Sequence, residues 1–253
     1  MNSTWFRRFT TAEGNGPRLV CFPHAGGSAT AYMQLARTLP AHFDMVAVQY
    51  PGRQDRYREA PFTSVAPLVE AVAGELAREL AADPGRPYAL FGHSMGALVA
   101  FETARLLAGS ELPSPQRLFL SGRGAPDVRA KIRYDLYDDD AVLAQVRRLG
   151  GTDQVMLDNP DVLEMVLPAL RADYRALGAY RWNGGAPLAT PITALIGDSD
   201  PVVTVEEART WREQTSGDFA FKVFPGGHFY LSDHVDQVAA TLVEGLLATT
   251  SAA

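Results

Sequence analysis

Residues 88–107 read YALFGHSMGALVAFETARLL, and this stretch decides the fold. Tyr88 to Phe91 is an apolar run with β-forming character, and from Ala97 to Leu107 apolar residues recur at a helical period. Between them stands Gly92-His93-Ser94-Met95-Gly96, a G-x-S-x-G sequence at a strand-to-helix junction. The glycines answer a steric need: small neighbours let strand and helix pass closely while the apex side chain points outward from a strained turn. A turn that only packed a helix on a strand would not require serine at its apex, so Ser94 is the candidate nucleophile.

Short β-rich runs recur on both sides, at 19–22, 45–50, 118–120, 192–196 and 221–224. Helical patterns lie between most of them. Ser64 to Leu80 places Val65, Leu68, Val69, Val72, Leu76 and Leu80 near a 3.6-residue period, and 235–247 reads the same way. Strand-helix alternation of this kind predicts an α/β fold with a mostly parallel sheet covered on both faces. Thr204-Val205-Glu206-Glu207, followed by Ala208 and Trp211, fits a capping box, which starts the next helix there and leaves 197–203 as loop.

The 70 residues from Gly122 to Pro191 break this rhythm, being about twice what one crossover uses. They hold an acidic run, Asp135 to Asp140, an apolar helical stretch, Ala141 to Leu149, and a Gly150-Gly151 break. A second stretch opens at Asn159-Pro160, and its Val162, Leu163, Val166, Leu167 and Leu170 form an apolar stripe that Pro168 should kink. Two expectations stand: a second small core, or a helical lid over a site at the sheet's C-terminal edge. The chain is therefore expected to be one domain over 1–253, with the insertion at about 127–185.

The composition, 47% hydrophobic and 21% charged over 253 residues, suits an ordinary globular protein. A net charge of −6 argues against general affinity for nucleic acid or acidic membranes, which need a basic face. The single cysteine, Cys21, excludes an internal disulfide framework and a multi-thiolate zinc site, and it reads as a buried strand residue. Neither a signal-like leader nor an 18-residue apolar run is present, and a cytoplasmic protein is expected.

A serine hydroxyl needs a histidine base, itself oriented by a carboxylate. Of five histidines, His93 adjoins Ser94 at a turn where neighbouring side chains diverge, so it reads as a packing or supporting residue. His42 and His234 read as structural or solvated, and His24 belongs to the exit loop of the first strand. His228, in Pro225-Gly226-Gly227-His228-Phe229 after the last strand, has the base's place. The acid belongs on the loop Gly197-Asp198-Ser199-Asp200-Pro201. Asp200 is favoured, because Pro201 pushes it toward an extended backbone and away from local capping, whereas Asp198 is placed to stabilise the turn. The order Ser94, Asp200, His228 is that of the α/β-hydrolase fold. Oxyanion donors are expected at the Met95 N–H and, from Pro23-His24-Ala25-Gly26-Gly27, at the Ala25 N–H in preference to Gly26. Phosphate-loop, dinucleotide and metal-ligand spacings are absent, so neither metal nor cofactor is expected.

Five segments now stand in order: CFPHAGGSA at 21–29, YPGRQDR at 50–56, GHSMGA at 92–97, GDSDPVV at 197–203 and GGHFYL at 226–231. Together they make the chain resemble the stand-alone type II thioesterases of polyketide and nonribosomal peptide assembly lines. The resemblance implies hydrolysis of acyl thioesters on the phosphopantetheine arm of an acyl or peptidyl carrier protein, chiefly to remove stalled or wrongly primed acyl groups. With Met1 just before the first strand and the last helix near the end, the carrier is expected to be met in trans, transiently, by a monomer. Arg53, Arg56 and Arg58, and separately Arg123, Arg129, Lys131 and Arg133, are candidates for the docking patch, or else plain solvated surface. Competing expectations are a small-molecule carboxylesterase, lipase or haloperoxidase on the same scaffold, or a ligand receptor that closes its lid without turnover.

Overall fold

All six strand-like runs enter one seven-stranded sheet in the computed structural model, which describes residues 4–128, 138–150 and 159–250. The strands are β1 (Phe6–Arg7), β2 (Arg18–Phe22), β3 (Asp44–Val48), β4 (Tyr88–His93), β5 (Leu118–Ser121), β6 (Ile192–Gly197) and β7 (Phe219–Phe224). Their order is β1-β3-β2-β4-β5-β6-β7. Pairing is parallel from β3 across to β7. Strands β2 to β6 are buried at every residue, as expected of strands covered on both faces, and this is why they read as unbroken apolar runs. The sequence pattern did not announce β1, which pairs antiparallel with β3 at the edge.

The helices are α1 (Met33–Thr38), α2 (Val65–Ala82), α3 (Met95–Leu107), α4 (Asp139–Leu149), α5 (Pro160–Ala179), α6 (Val205–Arg209), α7 (Tyr230–Asp233) and α8 (Val235–Thr250). On one face of the sheet α2 and α3 pack with Trp211, and on the other lie α1 and α8. Helix α2 buries the whole stripe read from its sequence, and Leu76→Ala in its middle would cost about 2–5 kcal/mol. Helix α6 starts at the expected capping box: Thr204 Oγ1 accepts the Glu207 N–H at 3.1 Å, and the Glu207 carboxylate accepts the Thr204 N–H at 2.8 Å. Among the described residues no helix is long and apolar enough to cross a membrane.

Helices α4 and α5 come from the long interval between β5 and β6. Asp138 caps α4 by accepting the Ala141 N–H at 2.7 Å, and Gly150 ends it in the left-handed conformation at φ 74°. Asn159 caps α5, Pro160 occupies its first turn, and the helix continues through Pro168 to Ala179. Asp135 and Gly151 lie outside the described residues. The interval combines features of both expectations. Val142 of α4 packs with Leu170 and Tyr174 of α5 in a small core, while Ala176 and Leu177 at the end of α5 join the main core. The first half of α5 is far more open, with Met165 63% exposed.

Candidate active site

The junction of β4 and α3 forces Ser94 to φ 56°, ψ −115°, a region that side-chain-bearing residues rarely occupy. The flanking glycines show why. A Cβ on Gly92 would stand 2.1 Å from the Gly96 carbonyl oxygen, and one on Gly96 would stand 1.8 Å from that of Phe22. Met95, the next residue, opens α3, so its N–H is among those a helix leaves without an internal partner.

His228 follows β7 and is 1% exposed. Its Nε2 lies 3.0 Å from Ser94 Oγ and its Nδ1 2.7 Å from Asp200 Oδ2. Asp200 departs from the expectation drawn from Pro201. It does bond local amides despite Pro201, since Oδ1 accepts the N–H of Val202 at 2.8 Å and of Val203 at 3.3 Å. One oxygen holds the turn and the other meets the imidazole. Asp198 is exposed; its Oδ1 accepts from the Ser199 hydroxyl at 2.6 Å and the Gly226 N–H at 3.0 Å, and these bonds hold its carboxyl below the usual range.

After β2, the loop holding Ala25 reaches the same pocket as Ser94. Its Gly26 N–H is already given to Asp173 Oδ2 at 2.8 Å, consistent with Ala25 as the loop's candidate donor. His24 meets Phe229 edge to face with centroids 4.8 Å apart. Burial, then the charges of His228 and Arg53, lower its pKa to about 4. His93 is buried with Nδ1 2.9 Å from Ser121 Oγ, and Ser121 Oγ lies 2.7 Å from the Tyr230 hydroxyl. His42 packs on Phe43, and His234 Nε2 donates to the Pro225 carbonyl at 3.0 Å.

A pocket of about 890 Å³, counted to its open mouth, lies between α4, α5 and the end of the sheet that carries Ser94 and His228. Leu143 and Val146 of α4 and Val162, Leu163, Val166 and Leu167 of α5 form its apolar wall, with Ser94, His24 and His228 at the polar end. Such a shape accepts an extended apolar group with its reactive end at the serine.

Two arginines expected at a docking patch are buried instead. Arg53 is 6% exposed and grips Asp173 with both terminal nitrogens, at 2.7 and 3.0 Å. Arg56, equally buried, donates to the Gln49 carbonyl at 2.8 Å and to Glu59, and lies over the Trp5 ring. A guanidinium tolerates burial when its fork finds carboxylate and carbonyl acceptors, as both do here. Arg123 is also buried, Arg58 stays at the surface beside Tyr57, and Arg129, Lys131 and Arg133 lie outside the described residues. Sequence reasoning missed Asp173 altogether. Its signal was a carboxylate on the apolar stripe of α5, three residues after Leu170 and four before Leu177.

The chain order Ser94, Asp200, His228, laid on this mostly parallel sheet, places the protein among the α/β-hydrolases. The family model described as Thioesterase domain matches residues 17–245, and the chain belongs to that thioesterase family. It is 44% identical over 248 residues to Thioesterase PikA5 of Streptomyces venezuelae, across 98% of this chain and 87% of that protein. To the gramicidin S biosynthesis protein GrsT of Aneurinibacillus migulanus it is 37% identical over 228 residues, across 90% of this chain and 88% of the relative. Among solved structures, the type II thioesterase BorB from the borrelidin biosynthetic cluster matches with a TM-score of 0.86 at 42% identity, covering 97% of this chain and 99% of that one. The type II thioesterase YbtT from the yersiniabactin pathway matches with a TM-score of 0.88 at 31% identity, with the same coverage. The resemblance carried by the five sequence segments thus holds over nearly the whole chain, and the enzyme has the chemistry of a serine hydrolase family.

Proposed function

We propose that the protein hydrolyses acyl groups from the phosphopantetheine arm of acyl or peptidyl carrier domains, removing stalled or aberrant units from a polyketide or nonribosomal peptide synthase. The carrying observation is the hydrogen-bonded chain Ser94–His228–Asp200 at the polar end of an apolar pocket. Similarity to biosynthetic type II thioesterases supports the substrate class. The carrier is met transiently, by a monomer, in the cytoplasm.

In this mechanism Ser94 Oγ attacks the thioester carbonyl while His228 Nε2 takes the hydroxyl proton. Asp200 accepts from Nδ1–H, fixing the tautomer that leaves Nε2 free to act as base, and stabilises the imidazolium once it forms. The Met95 and Ala25 amides receive the developing oxyanion. Collapse breaks the C–S bond and the pantetheine sulfur leaves with the proton from His228. Water then gives a proton to His228 and attacks the acyl-serine; the acid is released and Ser94 regains its proton. These groups supply every proton transfer, so no cofactor enters the proposal.

The test is time-resolved mass spectrometry of carriers loaded with a panel of acyl groups, run beside simple esters of the same acids. Multiple turnovers on carriers, faster than on esters, is the expected result. Preference for the esters would make the protein a carboxylesterase, and stoichiometric binding without release would make it a receptor.

A further inference from the structure

The lid helix sends a carboxylate across to the loop that carries the candidate oxyanion donor. Asp173 of α5 is 2% exposed, and its two oxygens accept three bonds. Oδ1 takes one from Arg53 Nη2 at 3.0 Å, and Oδ2 takes one from Arg53 Nη1 at 2.7 Å and one from the Gly26 N–H at 2.8 Å. Arg53 is held in turn: Nη1 donates to the Gly27 carbonyl at 3.1 Å and Nε to the Pro51 carbonyl at 3.3 Å. One ion pair therefore grips the loop at successive residues, through the N–H of Gly26 and the carbonyl of Gly27. The grip has a second point. Gly26 stands at φ 74°, and a Cβ there would come within 2.6 Å of Leu170 Cδ1, on the same helix as Asp173.

A buried ion pair is a weak device for stability alone, because desolvation offsets most of the attraction. It is an effective device for fixing geometry, and the loop it fixes borders Ser94. We infer that Asp173 is a positioning residue for the oxyanion hole: by taking the Gly26 N–H it sets the preceding peptide so that the Ala25 N–H faces the acyl oxygen bound at Ser94. The inference rests on the serine mechanism proposed above. It makes α5 part of the catalytic geometry as well as a cover. A lid displaced by about an ångström would leave the nucleophile and base in place but lose an aligned donor.

The test compares wild type with Asp173→Asn and with the double variant Arg53→Met/Asp173→Leu, which exchanges the ion pair for apolar side chains so that the fold is kept. Three quantities are read on folded protein: kcat and KM on an acyl-carrier thioester, affinity for a trifluoromethyl ketone that forms an oxyanion adduct on serine, and affinity for an unreactive thioether of equal chain length. Expected is a joint fall of about 10- to 100-fold in kcat and ketone affinity, with KM and thioether affinity within about threefold of wild type. Ketone affinity and kcat both within about threefold of wild type in a folded variant would overturn the inference, as would an equal loss of the thioether, which marks a collapsed pocket. Failure of the wild type itself to form the ketone adduct would instead overturn the serine mechanism, and this inference with it.

Discussion

The imidazole rings of His93 and His228 lie 4.9 Å apart, centroid to centroid, inclined at 48°. His24 stands beyond, its ring 6.1 Å from that of His93. Three charged imidazoles at these distances would repel one another strongly. Burial is the main cause that holds His93 well below its ordinary pKa and lowers His24 to about 4, and the neighbouring charges add to it. In the proposed mechanism an imidazolium at His228 would have neutral His93 and His24 as neighbours and Asp200 as its countercharge.

Neutral burial of His24 carries a pH signature. Its folded pKa of about 4 lies below the ordinary 6.5, so between these values the unfolded chain binds a proton that the folded one refuses. The resulting stability is fully present above about pH 6.5 and is lost as pH falls toward 4, by at most about 3 kcal/mol for this residue. His93 acts in the same direction. Urea unfolding at pH 7 and pH 4.5 should show the loss, and His24→Gln should reduce it. Equal stability of the wild type at the two pH values would contradict the assignment.

Ser94→Ala should lower turnover on acyl carriers by about a thousandfold or more while leaving the melting temperature within a few degrees. His228→Ala should match it. Because the proposed mechanism makes the two residues one unit, the double variant should be hardly slower than either single one. Multiplying losses would show that they work separately.

Asp200→Asn removes the carboxylate facing His228 Nδ1 and can present the wrong donor to it, so under the proposed mechanism kcat should fall by about 10³- to 10⁴-fold. Asp198→Asn changes an exposed residue whose bonds go to Ser199 and Gly226, and its kcat should stay within about tenfold. Side-by-side kinetics on one carrier substrate decides the ranking; the reverse order would transfer the acid's role to Asp198.

Helix α5 should behave as two halves. Val162, Leu163, Val166 and Leu167 line the pocket while Glu164 and Met165 between them are exposed, whereas Ala169 to Leu177 includes the Arg53 clamp and joins the main core. Amide exchange should be fast in α4 and the first half of α5 and slow in the second half, approaching that of β4. Val166→Trp, on the pocket wall, should penalise long acyl chains more than acetyl or propionyl. Uniform protection along α5, together with unchanged acyl preference, would make the segment a static wall.

How much of this was legible depended on how local the signal was. Strands β2, β4, β5 and β6 are buried on both faces, so their apolar runs declared themselves, and the capping box at Thr204 is written within four residues. Strand β1 is two residues at a sheet edge, too short for any period to show. The Ser, Asp and His loops each sit beside a readable strand end. Arg53 and Asp173, 120 residues apart, gave no such sign. An arginine in a polar stretch reads the same whether it faces solvent or a carboxylate brought to it by the fold. Only the intrusion of Asp173 into an apolar stripe hinted at a partner.

The backbone at Ser94 has a consequence for inheritance. Its φ of 56° and ψ of −115° penalise any residue that carries a Cβ, by about 1–3 kcal/mol, and glycine escapes most of that penalty. Ser94→Gly should therefore be an inactive protein that melts higher than its parent. A duplicated copy released from selection for turnover would find glycine an easy replacement at this one position. Glycine at the apex of the elbow, in a relative otherwise well preserved, would be the mark of a lineage that kept the scaffold and gave up the reaction.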